Sequence, residues 1–222
     1  MLENPSTFFG LVTFAAVASV TPGPNNFMVM ASSAAFGLKR TLPHMAGIVG
    51  GFALMIGSVV LGLGTVLGAY PQILAVVRIA GAGWLFWLAW QLGRAAFAPQ
   101  ASEDTPNQLD TEARPLTILE AAMFQWVNPK AWTMALGASA AYSGVASELL
   151  MRAGLMAVTF VMVAPLCLAL WALAGRGIGA LTMKGVSSRW ASFVMAALVA
   201  FSALSVLLDP ERIANAFGAF GT

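Results

Sequence analysis

An apolar run from about Ser6 to Ala35 is interrupted by Thr21-Pro22-Gly23-Pro24-Asn25-Asn26, and no other stretch constrains the chain as much. Proline supplies no backbone donor and clashes with the preceding turn, so one inside a helix costs about 3 kcal/mol. In lipid the freed carbonyls find no water, and irregular backbone at that depth persists only against protein or a wet cavity. The run therefore reads as a discontinuous transmembrane helix whose second half begins near Pro24 and points free N–H groups at the middle of the membrane. Such an end suits an anion. A simple proline kink is the plainer reading, and a second broken segment counts against it.

That second segment is Gln125-Trp126-Val127-Asn128-Pro129-Lys130, inside an apolar run from about Leu116 to Ala140. Pro129 lies 107 residues after Pro22 in a chain of 222, at nearly the same depth of its own run. Interrupted helices at matching positions of two halves point to a transporter binding site.

A crossing needs about 20 mostly apolar residues. Besides these two runs, about Pro43–Leu67, Ile73–Gln91, Leu150–Ala174 and Trp190–Leu208 qualify, which makes six. The expected architecture is an all-α polytopic membrane protein, with six transmembrane helices as a 3+3 inverted repeat and helices 1 and 4 broken. Residues 1–94 form the first repeat, 95–115 a polar cytoplasmic linker, 116–208 the second repeat and 209–222 a short periplasmic tail. Hydrophobic residues at 59%, charged residues at 9% and a mean hydropathy of +0.81 exclude an ordinary soluble domain. The apolar start leads to Ala16-Val17-Ala18, but Glu3 and the lack of a leading lysine or arginine favour a retained first helix over a cleaved signal.

Lysine and arginine set the orientation. Lys39 and Arg40 in a basic turn, Arg94, Arg114, Arg176, Lys184 and Arg189 fall on one side, and Arg152, Arg212 and Arg78 on the other. The richer side reads as cytoplasmic, which places both termini in the periplasm. Arg78 is close enough to the outer end to snorkel. The net charge of +2 is dispersed between apolar runs, so no nucleic-acid partner is expected. Gly175-Arg176-Gly177 reads as the end of the fifth span. Gly47 and Gly51, four apart, permit close helix contact, either within one subunit or in a homodimer. Trp84, Trp87 and Trp90, three apart, lie along one side of the third helix and suit an interfacial belt.

The polar groups at the two breaks are Thr21, Asn25 and Asn26 from one half and Gln125, Asn128 and Lys130 from the other. With Pro22, Gly23 and Pro24 they suit a small zwitterion. The helix end after Pro24 and the Lys130 ammonium accept a carboxylate, and oxygens near Asn25 and Asn128 accept an ammonium. Snorkelling is the competing reading of Lys130. His44 and Glu120 are the proton-coupling candidates, against plain interfacial roles for both. Nothing calls for a cofactor. No intramembrane carboxylate pair and no cysteine cluster suggest a metal, and the single Cys167 excludes a thiol-carrying membrane oxidoreductase.

At these residues the chain resembles the lysine-exporter (LysE/RhtB) family of bacterial amino-acid exporters. The residues that carry the resemblance are Thr21-Pro22-Gly23-Pro24-Asn25, Gly81-Ala82-Gly83-Trp84-Leu85 with Trp87-Leu88-Ala89-Trp90-Gln91, and Asn128-Pro129-Lys130-Ala131. The resemblance implies six membrane helices, an inner-membrane location and export of amino acids or their derivatives driven by the proton motive force. Asn25-Asn26 and the tryptophans look most similar to the branch that includes the cysteine/O-acetylserine exporter. Relatives specific for basic amino acids tend to carry an acidic residue where Asn25 stands, so small neutral substrates are implied. Trp84 stands where the family usually has tyrosine, and the sixth span lacks the usual glycines. A non-transporting scaffold or regulatory subunit, or an exporter of another metabolite, are the alternatives.

Overall fold

The computed structural model describes residues 5–97, 114–182 and 188–207. Every regular element among them is helical. The first apolar run forms α1 (Pro5–Val20) and α2 (Pro24–Phe36), which meet at 54°. Gly37 then turns the chain with φ 80°, a left-handed value that favours glycine. Its N–H donates to Ser33 O at 3.0 Å, and α3 (Leu38–Ser58) starts at the next residue. Lys39 and Arg40, expected in a turn, therefore lie in the first turn of α3, because Gly37 alone reverses the chain. The Ser32 and Thr41 hydroxyls bond at 3.0 Å across the hairpin.

A π-helical stretch (Val59–Leu63), with Gly62 at φ 135°, carries α3 into α4 (Gly64–Ala69). Next come α5 (Pro71–Phe97), α6 (Ile118–Val127) and α7 (Pro129–Ala141), then a short turn at Ser143–Val145, α8 (Leu149–Thr182) and α9 (Ser188–Leu207). The start of α6 is fixed by a capping box. The Thr117 hydroxyl accepts from Glu120 N at 3.2 Å, and Thr117 N donates to the Glu120 carboxylate at 2.8 Å, which satisfies two otherwise orphaned donors.

The segments 38–69, 71–91 and 149–180 are long and apolar enough to cross a membrane, and the bent pair α1–α2 makes a fourth. Their outer faces carry large apolar side chains: Phe9, Leu54, Val76 and Leu166 are each at least 66% exposed, as is Phe201 on α9. Apolar exposure on this scale suits contact with lipid. Trp84, Trp87 and Trp90 are exposed among them.

Beneath that surface α8 packs against α1, α2 and α3, α6 against α3, and α9 against α5. Leu11, Phe52, Met55, Ile56, Met156 and Phe160 form one buried cluster. Phe27, Met28, Leu85, Phe124 and Val199 form another.

Glycine makes these approaches possible. A Cβ on Gly47 would stand 2.3 Å from Ile118 O, and one on Gly51 2.5 Å from Ala122 Cα, so both serve the α3–α6 contact inside the subunit. Gly175 was expected to end the fifth span, yet α8 continues to Thr182. A Cβ on Gly175 would lie 2.1 Å from Met30 O, and one on Gly179 2.6 Å from Ala34 O. These glycines bring α8 onto the backbone of α2 and do not stop the helix. The expected linker begins later than Ala95, since α5 reaches Phe97. Most of that linker, Lys184 and the tail 209–222 fall outside the described residues.

Candidate functional site

Helix α1 stops at Val20 because Pro22 and Pro24 cannot donate, and Pro24 reopens the chain at the first position of α2, where its missing N–H costs nothing. The same device repeats in the other half: Asn128 is the N-cap of α7 and Pro129 its first residue. Pro129 thus shares its helical position with Pro24, not with Pro22.

A break between two helices must account for every freed carbonyl, and side chains do most of that work. Trp171 Nε1 donates to Val20 O at 3.1 Å. Asn26 Nδ2 donates to Ser19 O at 3.0 Å and Thr21 O at 2.8 Å. The Thr21 hydroxyl turns back to Val17 O at 2.5 Å. The Lys130 ammonium arrives from α7 and donates to Thr21 O, and to Pro22 O at 3.4 Å. Its reach is thus taken up by these two carbonyls. A cation at the C-terminal end of α1 also opposes the negative end of that helix dipole.

Gly23 makes room for this arrangement. A Cβ there would stand 2.6 Å from Lys130 Cδ and 3.0 Å from its Nζ. The backbone of Gly23 is extended, so the requirement is space and not conformation.

The two halves also meet through an amide pair. Asn25 Nδ2 donates to Gln125 Oε1 at 2.8 Å, and Gln125 Nε2 donates back to Asn25 Oδ1 at 3.2 Å and to Ala121 O at 2.8 Å. Gln125 is completely buried and Asn128 is 1% exposed. The Asn128 Oδ1 accepts from Lys130 N at 3.1 Å, which fixes the start of α7. The carbonyl end of α6 is met by Trp132, whose Nε1 donates to Trp126 O at 2.8 Å.

What remains open is the N-terminal end of α2. No side chain caps it, and it borders a cavity. Ser19, Asn25, Asn26, Asn128 and Lys130 line one part of that cavity, and Phe52, Met134, Phe160, Ala164 and Leu168 another. The space open to the centre of a water molecule is about 40 Å³. At about 10–15 Å³ per water on that measure, it has room for a few atoms only. Chemically it offers unpaired helix N–H groups and an ammonium to an anion, amide oxygens to a cation, and an apolar wall to a short side chain.

All nine residues expected at the site, Thr21 to Asn26 with Gln125, Asn128 and Lys130, therefore converge on the two breaks. The proton-coupling candidates do not. Glu120 is 42% exposed and held by Arg114 at 2.6 and 2.7 Å, in the capping box of α6. His44, expected at the interface, is 2% exposed on α3, and neither of its ring nitrogens has a hydrogen-bond partner among the described residues. Sequence reasoning missed Trp171. An indole donor in a long apolar helix looks like any belt or core tryptophan until a carbonyl is seen beside it.

The family model of the LysE type translocators matches residues 16–209. The chain belongs to that family. It is a multi-pass membrane transport protein and not an enzyme. It is 25% identical over 214 residues to the cysteine/O-acetylserine efflux protein of Klebsiella pneumoniae subsp. pneumoniae, covering 93% of this chain and 100% of that one. The protein of the same name from Escherichia coli K12 is 26% identical over 129 residues, 57% of this chain and 60% of its own. For that of Salmonella typhimurium the figures are 26% over 104 residues, 46% and 53%. No solved structure matches the chain.

Proposed function

We propose that this translocator exports small neutral amino acids or their derivatives across the bacterial inner membrane, exchanging each for inward-moving protons. One observation carries the reading. The open N-terminus of α2 and the Lys130 ammonium face a cavity whose remaining wall is apolar and whose size is small. A carboxylate docks at the helix end, the Asn25 and Asn128 oxygens take the ammonium, and the apolar wall takes a short side chain. The names of the relatives, which specify cysteine and O-acetylserine, fit a solute of that charge, and seating one requires the cavity to widen as the halves move.

The α6–α7 pair, of 10 and 13 residues, makes a crossing only as a broken unit, since each alone is shorter than a bilayer core of about 30 Å. With α9 it completes six crossings in two inverted halves, both termini periplasmic. The halves rock about the paired breaks, and the Asn25–Gln125 contact between them is remade in each cycle. His44 carries the coupling proton. Glu120 is already engaged with Arg114 and is the weaker candidate. Efflux of labelled L-cysteine and O-acetyl-L-serine from proteoliposomes, with and without a pH gradient, tests the reading. Gradient-stimulated efflux is expected, and equal retention of both solutes with the gradient on or off would refute it.

A further inference from the structure

A second cavity, of about 210 Å³, lies between α5 and α7. Leu74, Val77 and Arg78 contribute from α5, and Trp132, Thr133 and Leu136 from α7. It flanks the same break as the first, because Pro129 lines it while Lys130 and Ala131 line the other. Its polar inventory is almost wholly committed. Trp132 Nε1 donates to Trp126 O at 2.8 Å and the Thr133 hydroxyl to Lys130 O at 2.9 Å. Arg78 is the exception. It makes no hydrogen bond or ion pair among the described residues, and no carboxylate lines the cavity with it.

The sequence suggested that this arginine reaches the outer interface, and the structure sets it at the mouth of this cavity. It sits seven residues into α5, about 10 Å along the helix, half-buried against apolar walls. Charged side chains within a membrane span are costly and mark solute or ion pathways. A guanidinium offers five donors in a planar fork that matches a carboxylate or phosphate bidentately. One turn further on, a Cβ at Gly81 would lie 2.0 Å from Val127 O and 3.1 Å from Pro129 Cδ. The backbone of α5 is thus pressed onto the α6–α7 break, and Arg78 is held at its edge.

We propose that this cavity is a second binding site, for an anionic oxygen group held by Arg78. Two sources supply that chemistry. One is the carboxylate of a solute that has passed the break, which rests on the exporter reading above. The other is the phosphate of an anionic lipid, which does not.

Wild-type protein, Arg78→Gln and Arg78→Lys are compared in vesicles of phosphatidylcholine with and without phosphatidylglycerol. Two quantities are read: O-acetyl-L-serine efflux and the thermal midpoint of the purified protein in each lipid. A carboxylate site predicts that Arg78→Gln slows efflux about tenfold or more in both lipids, with Arg78→Lys intermediate because an ammonium lacks the fork. A lipid site predicts unchanged efflux in pure phosphatidylcholine and a phosphatidylglycerol-dependent rise in midpoint that Arg78→Gln abolishes. If Arg78→Gln does not give monodisperse protein, Arg78→Lys carries both comparisons. Variants equal to wild type in both quantities overturn the proposal. Wild-type protein without efflux refutes the exporter reading alone, and the thermal comparison then decides whether Arg78 holds a lipid phosphate or nothing.

Discussion

Asn25 and Gln125, 100 residues apart, hold each other by two reciprocal amide hydrogen bonds of 2.8 and 3.2 Å. They belong to the two interrupted segments, and their hydrogen bonds join α2 to α6 directly. Removing Asn25 leaves the Oε1 of the fully buried Gln125 without its donor, while Nε2 keeps its bond to Ala121 O, a loss of about 1–3 kcal/mol. Asn25→Ala is therefore expected to lower the thermal midpoint modestly and efflux by about tenfold or more. A double-mutant cycle with Gln125→Ala should show a coupling of at least about 0.5 kcal/mol.

Lys130 bridges the halves in the other direction, through the carbonyls of Thr21 and Pro22. Lys130→Ala is expected to insert normally in the membrane and to lose most of its efflux, and comparing expression with transport separates the two. Gly23→Ala approaches the same contact from the far side. Its Cβ would meet the flexible end of Lys130, so the ammonium is displaced while the fold survives. Activity should fall without a matching loss of folded protein.

Glycines divide into two groups that alanine substitution separates. Gly81→Ala and Gly175→Ala place a Cβ 2.0 and 2.1 Å from the carbonyl oxygens of Val127 and Met30. Overpacking against backbone of this kind costs about 1–3 kcal/mol or more. Gly57 and Gly83 have nothing within 4 Å of an added Cβ. There alanine should be neutral or gain up to about 1 kcal/mol of helix propensity. Thermal midpoints of the four variants in one detergent check the division.

Trp171→Phe keeps an aromatic ring against Phe27, now 5.6 Å between centroids, and removes the donor to Val20 O. The expected loss is about 1 kcal/mol of stability. A carbonyl at the break then lacks its partner, so efflux should fall more than for Trp87→Phe, which is exposed on α5.

His44→Gln tests the coupling role. The substitution keeps a polar side chain of similar reach but cannot carry a proton. Downhill exchange of labelled solute should persist while stimulation by the pH gradient disappears. Unchanged stimulation would remove His44 from the proton path.

That a new helix starts at Pro24 and at Pro129 was legible in the sequence because proline acts locally: its missing donor ends a helix whatever surrounds it. The meeting of Asn25 with Gln125 agrees with the expectation that the two interrupted segments face each other. Partners reached through backbone carbonyls did not. Nothing in the order of residues says that Lys130 faces Thr21 O or that Trp171 faces Val20 O, since every residue carries a carbonyl. Glycine misled for a related reason. Gly175-Arg176-Gly177 has the composition of a turn, yet close approach to α2 asks for the same residue, and only the neighbouring helix tells them apart. For Arg78 the distance along the helix was readable, and its place beside α7 was not.

The most direct measurement is efflux of labelled O-acetyl-L-serine from proteoliposomes loaded to equal internal concentration, with an inward proton gradient imposed or collapsed, for wild type and Asn25→Ala side by side. The account predicts efflux that the gradient accelerates and that Asn25→Ala reduces by about tenfold or more at equal protein incorporation. Gradient-driven efflux that Asn25→Ala leaves intact would contradict it, because the solute would then be crossing somewhere other than the paired breaks.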